Sequence, residues 1–287
     1  MNALNKRLRE TAAETITIVA QGGYRAASGA WADIAGAVGN AVAGTRLHLP
    51  DEPLPGTGAA NPARLVEVTT ESTLAAARRL GDGTAALVFA SARNPGGGFR
   101  TGARAQEEDI ARCSALHACL DTVPAFYAHH RAEPDLRYSD RIIYSPHVPV
   151  FRDDTGRLLD RPHHAALITA AAPNLRAVVQ NQPDLAGTIP AVLAGRTVRV
   201  LQVAAAHGHR RLVLGAWGCG VFGNDPQVVA QAFAVALDRV DRFDHVVFAV
   251  LDRAPATPTY RAFADAFRPS LGRAGSRDRN GRSAGSC

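Results

Sequence analysis

Apolar and polar positions along this chain follow two rhythms, one helical and one of short continuous runs, and glycine or proline clusters punctuate the changes. Residues 2–20 and 25–43 repeat apolar positions at helical spacing and close near Gly22-Gly23 and Gly44, which predicts two helices. A Pro/Gly-rich connection, DEPLPGTGAANP at 51–62, follows. From there strands and helices alternate. RLVEVTT and TAALVFASA read as strands, with a helix in ESTLAAARRLGDG between them that closes at Gly81. TAALVFASA is a continuous apolar run, as a strand covered on both faces requires. QEEDIARCSALHACL reads as one helix with the core stripe Ile110, Cys113, Leu116 and Leu120. On that wheel Glu108 projects nearly opposite to the stripe. RIIYSPHVPVF holds one or two strands and HAALITAAA another; then come a helix through TIPAVLAGRTVRVLQVAAAHG, a strand RLVLGAW, a helix DPQVVAQAFAVALDRV, a strand HVVFAVLD and a last helix near 258–268. This alternation predicts an α/β fold, a largely parallel or mixed sheet covered by helices on both faces.

Composition adds limits. At 287 residues with 46% hydrophobic and 20% charged residues, the chain can bury a sizeable core. The N-terminus lacks the apolar segment of a secretory signal, and no uninterrupted apolar run approaches the ~18 residues of a membrane span, so a cytoplasmic, membrane-free protein is expected. Net charge is +6, but residues 268–287 hold five Arg and one Asp, leaving only +2 for the remainder. The excess therefore belongs to Arg268 and a tail at 269–287, the tail expected to be disordered, and a folded face for sequence-specific nucleic acid is not indicated. Cys113, Cys119, Cys219 and Cys287 show no CxxC pairing, which argues for reduced thiols and no metal centre. Lys6 is the sole lysine against 31 Arg, excluding a GK[ST] phosphate loop and disfavouring Schiff-base chemistry. His129-His130, His163-His164 and His207/His209 lack HExxH context and read as loop histidines, and Asp153-Asp154 as a turn. No GxSxG elbow is present.

Two segments carry chemistry. In FASARNPGGGFRTGARAQEED, Asn94-Pro95 turns the chain out of a core strand, and Gly96, Gly97 and Gly98 permit close backbone approach and N–H groups aimed at an anion. A plain flexible loop fits the same residues. Gln106, Glu107 and Glu108 open the next helix, where carboxylates are also favoured by the macrodipole alone. In LVLGAWGCGVFGNDPQVVAQAF, a strand leads through Gly218, Gly220, Val221, Phe222 and Gly223 to a helix with Asp225 at its N-cap and Pro226 in its first turn. This loop satisfies GxGxxG, which keeps a dinucleotide-binding oxidoreductase open, although only one strand follows it. A diphosphate held against backbone N–H groups fits it better.

Taken together these segments resemble the bacterial-type poly(ADP-ribose) glycohydrolases of the macrodomain superfamily. The family signature is a glycine triplet, a short spacer and QEE; here Gly96-Gly97-Gly98 and Gln106-Glu107-Glu108 are separated by seven residues. FASARNPGGGF, GARAQEED, YSPHVPVFRDD, AAAHGH and LGAWGCGVFGNDP are similar too, over residues 8–268. The resemblance implies a macrodomain, a mixed central sheet between helices, spanning 63–268, with residues 1–62 a helical extension packed on the same domain. It implies hydrolysis of the ribose–ribose bonds of poly(ADP-ribose), probed from chain ends, with ADP-ribose as product, poly(ADP-ribosyl)ated proteins as partners, a monomeric state and no cofactor. Residue by residue, it implies Glu108 as the catalytic glutamate and Glu107 as its neighbour holding the ribose hydroxyls. Asn94 and Gly96–Gly98, with Gln106, fall at the ribose and diphosphate contacts, and Gly218–Gly223 form a second phosphate cradle with Phe222 on the distal ribose. Glu71 is the candidate for the adenine end.

Two carboxylates on opposite faces of a sugar are the usual glycosidase plan, and neighbours on one helix end fit it badly. A single acid/base, Glu108, fits better: it protonates the leaving 2′-oxygen and then activates water. A helix N-terminus favours the ionised carboxylate, so this role calls for burial under substrate and the like charge of Glu107 to oppose it. A binding module that has lost catalysis is the competing reading, against which the intact QEE stands.

Overall fold

The computed structural model describes residues 3–54 and 64–268. In chain order its strands are β1 (Gly23–Arg25), β2 (Trp31–Asp33), β3 (Arg46–His48), β4 (Leu65–Thr69), β5 (Thr84–Phe89), β6 (Ile142–Arg152), β7 (Leu158–Ala170), β8 (Arg211–Leu214) and β9 (His245–Ala249). Its helices are α1 (Ala3–Gln21), α2 (Ala35–Gly44), α3 (Thr73–Leu80), α4 (Gln106–Cys113), α5 (Leu116–Asp121), α6 (Pro124–Ala132), α7 (Leu175–Asn181), α8 (Ile189–Ala206), α9 (Pro226–Arg239) and α10 (Pro258–Ala266).

The apolar run at 84–89 forms β5, the middle strand of a seven-stranded sheet ordered β3-β6-β7-β5-β8-β9-β4. Its neighbours β7 and β8 run parallel to it, as β9 does to β8 and β4 to β9, while β6 is antiparallel to both β7 and β3. The sheet is therefore mixed, with its central strands parallel. Strand alternation sends Ala86 and Val88 into a core with Leu74, Leu116 and Phe126, and Ala85 and Leu87 into a second core with Leu193, Phe233 and Phe263. Both faces are thus covered by helices, which is why the strand reads as uniformly apolar.

Three expectations need correction. The helix expected at 25–43 is a β1–β2 ribbon followed by α2 alone, because Gly29, at φ 84°, supports a turn in which Ala26 N–H donates to the Ala30 carbonyl at 2.9 Å. The helix expected at 106–120 breaks at Ser114, whose extended backbone bridges to Val150 and whose hydroxyl donates to the Ile110 carbonyl at 2.7 Å. α6 and α7 were not anticipated; each is short, opened by Pro124 and by the Asn174 side chain respectively. The segment expected to hold one or two strands forms one, β6, of eleven residues, bent by a register shift between Ser145 and Val148. Residues 3–54 contribute more than helices, since β3 pairs with β6 and forms one edge of the sheet. The Arg-rich tail and most of the 51–62 connection lie outside the described residues.

One helical stretch, residues 183–206, is long and apolar enough to cross a membrane by length and composition, although Asp184, Arg196 and Arg199 interrupt its apolar run. Half of it is buried within the protein. It also carries Arg196, 2% exposed, whose guanidinium donates to Asp140 and to the carbonyls of Arg137 and Ala171. Those features describe a core helix.

Candidate active site

β5 and β8 are adjacent and parallel, so the chain leaves both at one edge of the sheet. The loops that follow are the two glycine-rich segments, 110 or so residues apart in sequence and side by side in the fold. Carboxyl ends of neighbouring parallel strands are where open α/β sheets bind ligands.

The first loop is a chain of tight turns. Gly97 N–H donates to the Asn94 carbonyl at 3.0 Å, Phe99 N–H to Gly96 at 3.2 Å, and both Thr101 and Ala103 N–H to Gly98 at 3.0 and 3.1 Å. Phe99, 1% exposed, anchors it against His117. The seven-residue spacer is closed by Arg112, itself buried, which donates to the Ala103 carbonyl at 2.9 Å and to Asp109 at 2.5 Å. The spacing of triplet and QEE thus follows from a loop that folds back on the helix it precedes.

That fold-back sets the carboxylates. Gly98 N–H donates to Glu108 Oε1 at 2.9 Å, and Ser91 N–H to Glu107 Oε2 at 2.6 Å. Glu107 is 2% exposed and Glu108 9%. The helical wheel set Glu108 opposite the core stripe, and in that direction it meets the glycine loop instead of solvent. Burial pushes Glu107 well above the usual carboxylate range, aided by the charge of Glu108 and opposed by the N–H donors of Ser91 and Gly96. Its Oε1 has no hydrogen-bond partner, and neither has the buried hydroxyl of Tyr127, which feels the charge of Glu107 and is pushed up in turn, mainly by burial. Tyr127 escaped sequence reasoning because it sits in a helix that was not foreseen.

Gly97 is required at its position. Its φ is 59°, and a Cβ there would sit 2.3 Å from Glu108 Oε1. The N–H groups of Gly97 and Gly98 were expected to face an external anion; here the loop uses them on Asn94 and Glu108.

The second loop leaves three of its donors free. Gly218, at φ 74°, is packed against Ala172 and Asn224, and the buried Asn224 side chain donates to the carbonyls of Pro173 and Gly218 at 2.9 and 3.2 Å. Asp225 caps α9 by accepting from Gln227 N–H at 2.8 Å, as its position before Pro226 predicted. Among the described residues, the backbone N–H groups of Gly220, Val221 and Phe222 donate to nothing in the protein. A row of free N–H groups at the edge of a sheet suits an anion. Asn224 is a further residue missed from sequence, where it looked like a loop asparagine.

A cleft of about 1270 Å³ opens along this edge, walled by Gly218–Phe222, Phe89, Gln106 and Glu71 and by the segment after β9 around Ala249–Arg253. Gln106 is consumed structurally: its Oε1 accepts from Phe89 N–H at 2.8 Å, and its Nε2 donates to the Leu87 carbonyl and Thr73 Oγ1 at 2.7 and 3.0 Å. Glu71 lines the cleft with its carboxylate held by Arg79, which lowers its pKa. Asn94 is exposed, its backbone serving the first turn. Gln106, Asp109, Ile110 and Cys113 of α4 face this cleft, while Glu107 and Glu108 turn toward the glycine triplet. The structure therefore gathers Gly96–Gly98 with Glu107 and Glu108, and Gly218–Phe222 with Gln106 and Glu71, in two adjoining groups. No group of three or more metal-ligating side chains occurs among the described residues.

Comparison with known proteins places the chain in a family. A family profile described as the microbial-type PARG catalytic domain, PARG being poly(ADP-ribose) glycohydrolase, matches residues 12–153. The crystal structure of poly(ADP-ribose) glycohydrolase from Thermomonospora curvata is 51% identical, with 91% of this chain and all of that one covered and a TM-score of 0.86. The same protein bound to the inhibitor ADP-HPD is 51% identical over the same shares of each chain, with a TM-score of 0.83. The Deinococcus radiodurans glycohydrolase in complex with ADP-ribose is 43% identical, covering 80% of this chain and 97% of that one at a TM-score of 0.74. Comparison with curated proteins finds no match.

Proposed function

The chain belongs to the microbial-type poly(ADP-ribose) glycohydrolase family, and from that premise we propose how its residues divide the reaction. It is a glycoside hydrolase that cleaves the ribose–ribose O-glycosidic bonds of poly(ADP-ribose) and releases ADP-ribose. Glu108 is the single acid/base. It protonates the departing 2′-oxygen of the next unit, the anomeric carbon gains oxocarbenium character, and the same carboxylate then takes a proton from the attacking water. The substrate diphosphate, lying on the free N–H groups of Gly220–Phe222, offsets the developing positive charge. Glu107 holds the ribose hydroxyls; its raised pKa favours the neutral carboxyl, which can donate as well as accept a hydrogen bond. Phe222 packs on the distal ribose, Asn94 contacts it from the loop rim, and Glu71 stands at the adenine end. Cleavage proceeds from chain ends on polymer attached to modified proteins, by a monomer in the cytoplasm without a cofactor.

The observation that carries the assignment is the contact between Gly98 N–H and Glu108, which fixes one carboxyl oxygen at the mouth of the glycine loop. A specific observation favours the reverse assignment: Glu107 is the carboxyl that burial pushes well above the usual carboxylate range. Incubation with poly(ADP-ribose) separates the readings. Wild type should release free ADP-ribose, and Glu108→Gln should bind ADP-ribose without turnover. Full turnover by that variant would sink the assignment to Glu108. Binding without turnover in wild type would identify a reader, and loss of all ADP-ribose affinity would remove both. Oligomeric ADP-ribose among the first products would rule out end-directed cleavage.

A further inference from the structure

A second cavity, of about 500 Å³, lies between α3 and the β6–β7 hairpin. It is within the ~300–1,000 Å³ range of small-ligand pockets. It adjoins the active-site cleft: Leu74 and Ala75 of α3 and Asp153, Asp154 and Thr155 of the hairpin turn wall both. The two cavities therefore lie side by side.

The cavity is lined by Arg78, Arg79, Arg152 and His163. Two of these are already engaged, Arg79 with Glu71 and Glu67, and Arg152 with Glu14 at 2.8 Å. Arg78 has no ion pair or hydrogen bond among the described residues, and His163 Nδ1 is buried without a partner. Two carboxylates also line it, and neither forms an ion pair with Arg78. Asp153 accepts from Thr155 and Arg157, and Asp154 accepts from Ser72 Oγ at 2.7 Å. Burial, then the charge of Arg78, push His163 down to about 4. An uncommitted guanidinium in a concave site beside an unsatisfied imidazole suits a phosphate oxygen.

We propose that this cavity is a second anion subsite, occupied by a diphosphate of the polymer tract that extends beyond the ADP-ribose unit in the active site. The inference rests on the polymer-hydrolase reading above. A second contact on a continuous ligand raises the affinity for long chains through effective concentration and leaves that for the single unit unchanged.

Binding should be measured on the non-hydrolysing Glu108→Gln protein, with size-fractionated poly(ADP-ribose) and with ADP-ribose, before and after adding Arg78→Glu. The exposed, unpaired Arg78 can be replaced without disturbing the fold, which a thermal scan checks. Long-chain affinity should fall about three- to tenfold and its salt slope by about 1, with ADP-ribose affinity within about twofold of the parent. Arg78→Lys should restore most of the loss, and His163→Asn should reproduce part of it. Equal long-chain affinity in both proteins overturns the subsite, as does an equal loss for both ligands. If ADP-ribose binds and chain length makes no difference, only the subsite fails. If ADP-ribose does not bind, the hydrolase reading fails with it.

Discussion

Replacing Gly97 with alanine tests whether the glycine loop positions the acid/base. The new methyl would stand 2.3 Å from Glu108 Oε1, 2.9 Å from its Cδ and 3.1 Å from Glu107 Oε2. Carbon contacts under 3.0 Å do not persist, so Oε1 must retreat by about 0.7 Å. A solvated glutamate would swing aside at little cost, but Glu108 is 9% exposed and held by Gly98 N–H. Losing that charge-assisted bond costs roughly 1.5–3 kcal/mol. Alanine at a φ of 59° adds roughly 1 kcal/mol. With both costs, and ~2–4 °C per kcal/mol for a chain of this size, Tm should fall by about 5–15 °C. A misplacement near 1 Å costs on the order of 100-fold in rate, so kcat should fall about 100-fold below the melting range. Initial rates of ADP-ribose release give kcat, and calorimetry gives Tm. Gly29→Ala is the control, since Gly29 also has a positive φ, 84°, but its methyl would meet nothing within 4 Å. It should lower Tm slightly and leave kcat alone. The reasoning fails if Gly97→Ala keeps wild-type kcat, or if Gly29→Ala loses as much.

Glu107→Gln should stabilise the fold at neutral pH while impairing turnover. A carboxyl whose folded pKa is raised contributes its stability below the ordinary carboxylate pKa and loses it as pH rises through the folded value. The variant should therefore match wild type in acid and exceed it by about 1–3 kcal/mol near neutrality, followed by denaturant melts across pH; a gap that shrinks as pH rises would contradict the burial argument. Gln106→Ala should act on stability more than on binding, because the side chain ties α4 to β5 and α3 through three hydrogen bonds. A Tm lower by about 5–15 °C, with ADP-ribose affinity within a few-fold at low temperature, is expected. Unchanged Tm with abolished binding would restore it as a substrate contact.

The parallel centre of the sheet was legible because β5, β8 and β9 are covered on both faces and so appear as unbroken apolar runs. The N-terminal ribbon was not. Its residues 25–33 pack an alternating burial pattern too short for period analysis, and α2 that follows buries only Ala41 fully. Ser114 broke the expected helix for a tertiary reason, a bridge to Val150 36 positions further on, which no local propensity encodes. Tyr127 and Asn224 were invisible for the same reason: each matters through what it faces.

The glycine triplet and QEE illustrate where local reading runs out. On a helical wheel, Glu108 off the core stripe means a solvated carboxylate, and a first-turn glutamate needs no further explanation than the macrodipole. Both inferences assume that the off-stripe face meets water. Here the spacer returns the chain over that face, held by Phe99 in the core and by Arg112 to Ala103, so the loop becomes a second wall. Burial of Glu107 and the N–H contact to Glu108 follow from that return and from nothing in the helix itself. The spacer is therefore as much a part of the site as the residues it separates. Its length and its anchors decide whether two adjacent carboxylates are a helix cap or a ribose holder beside an acid.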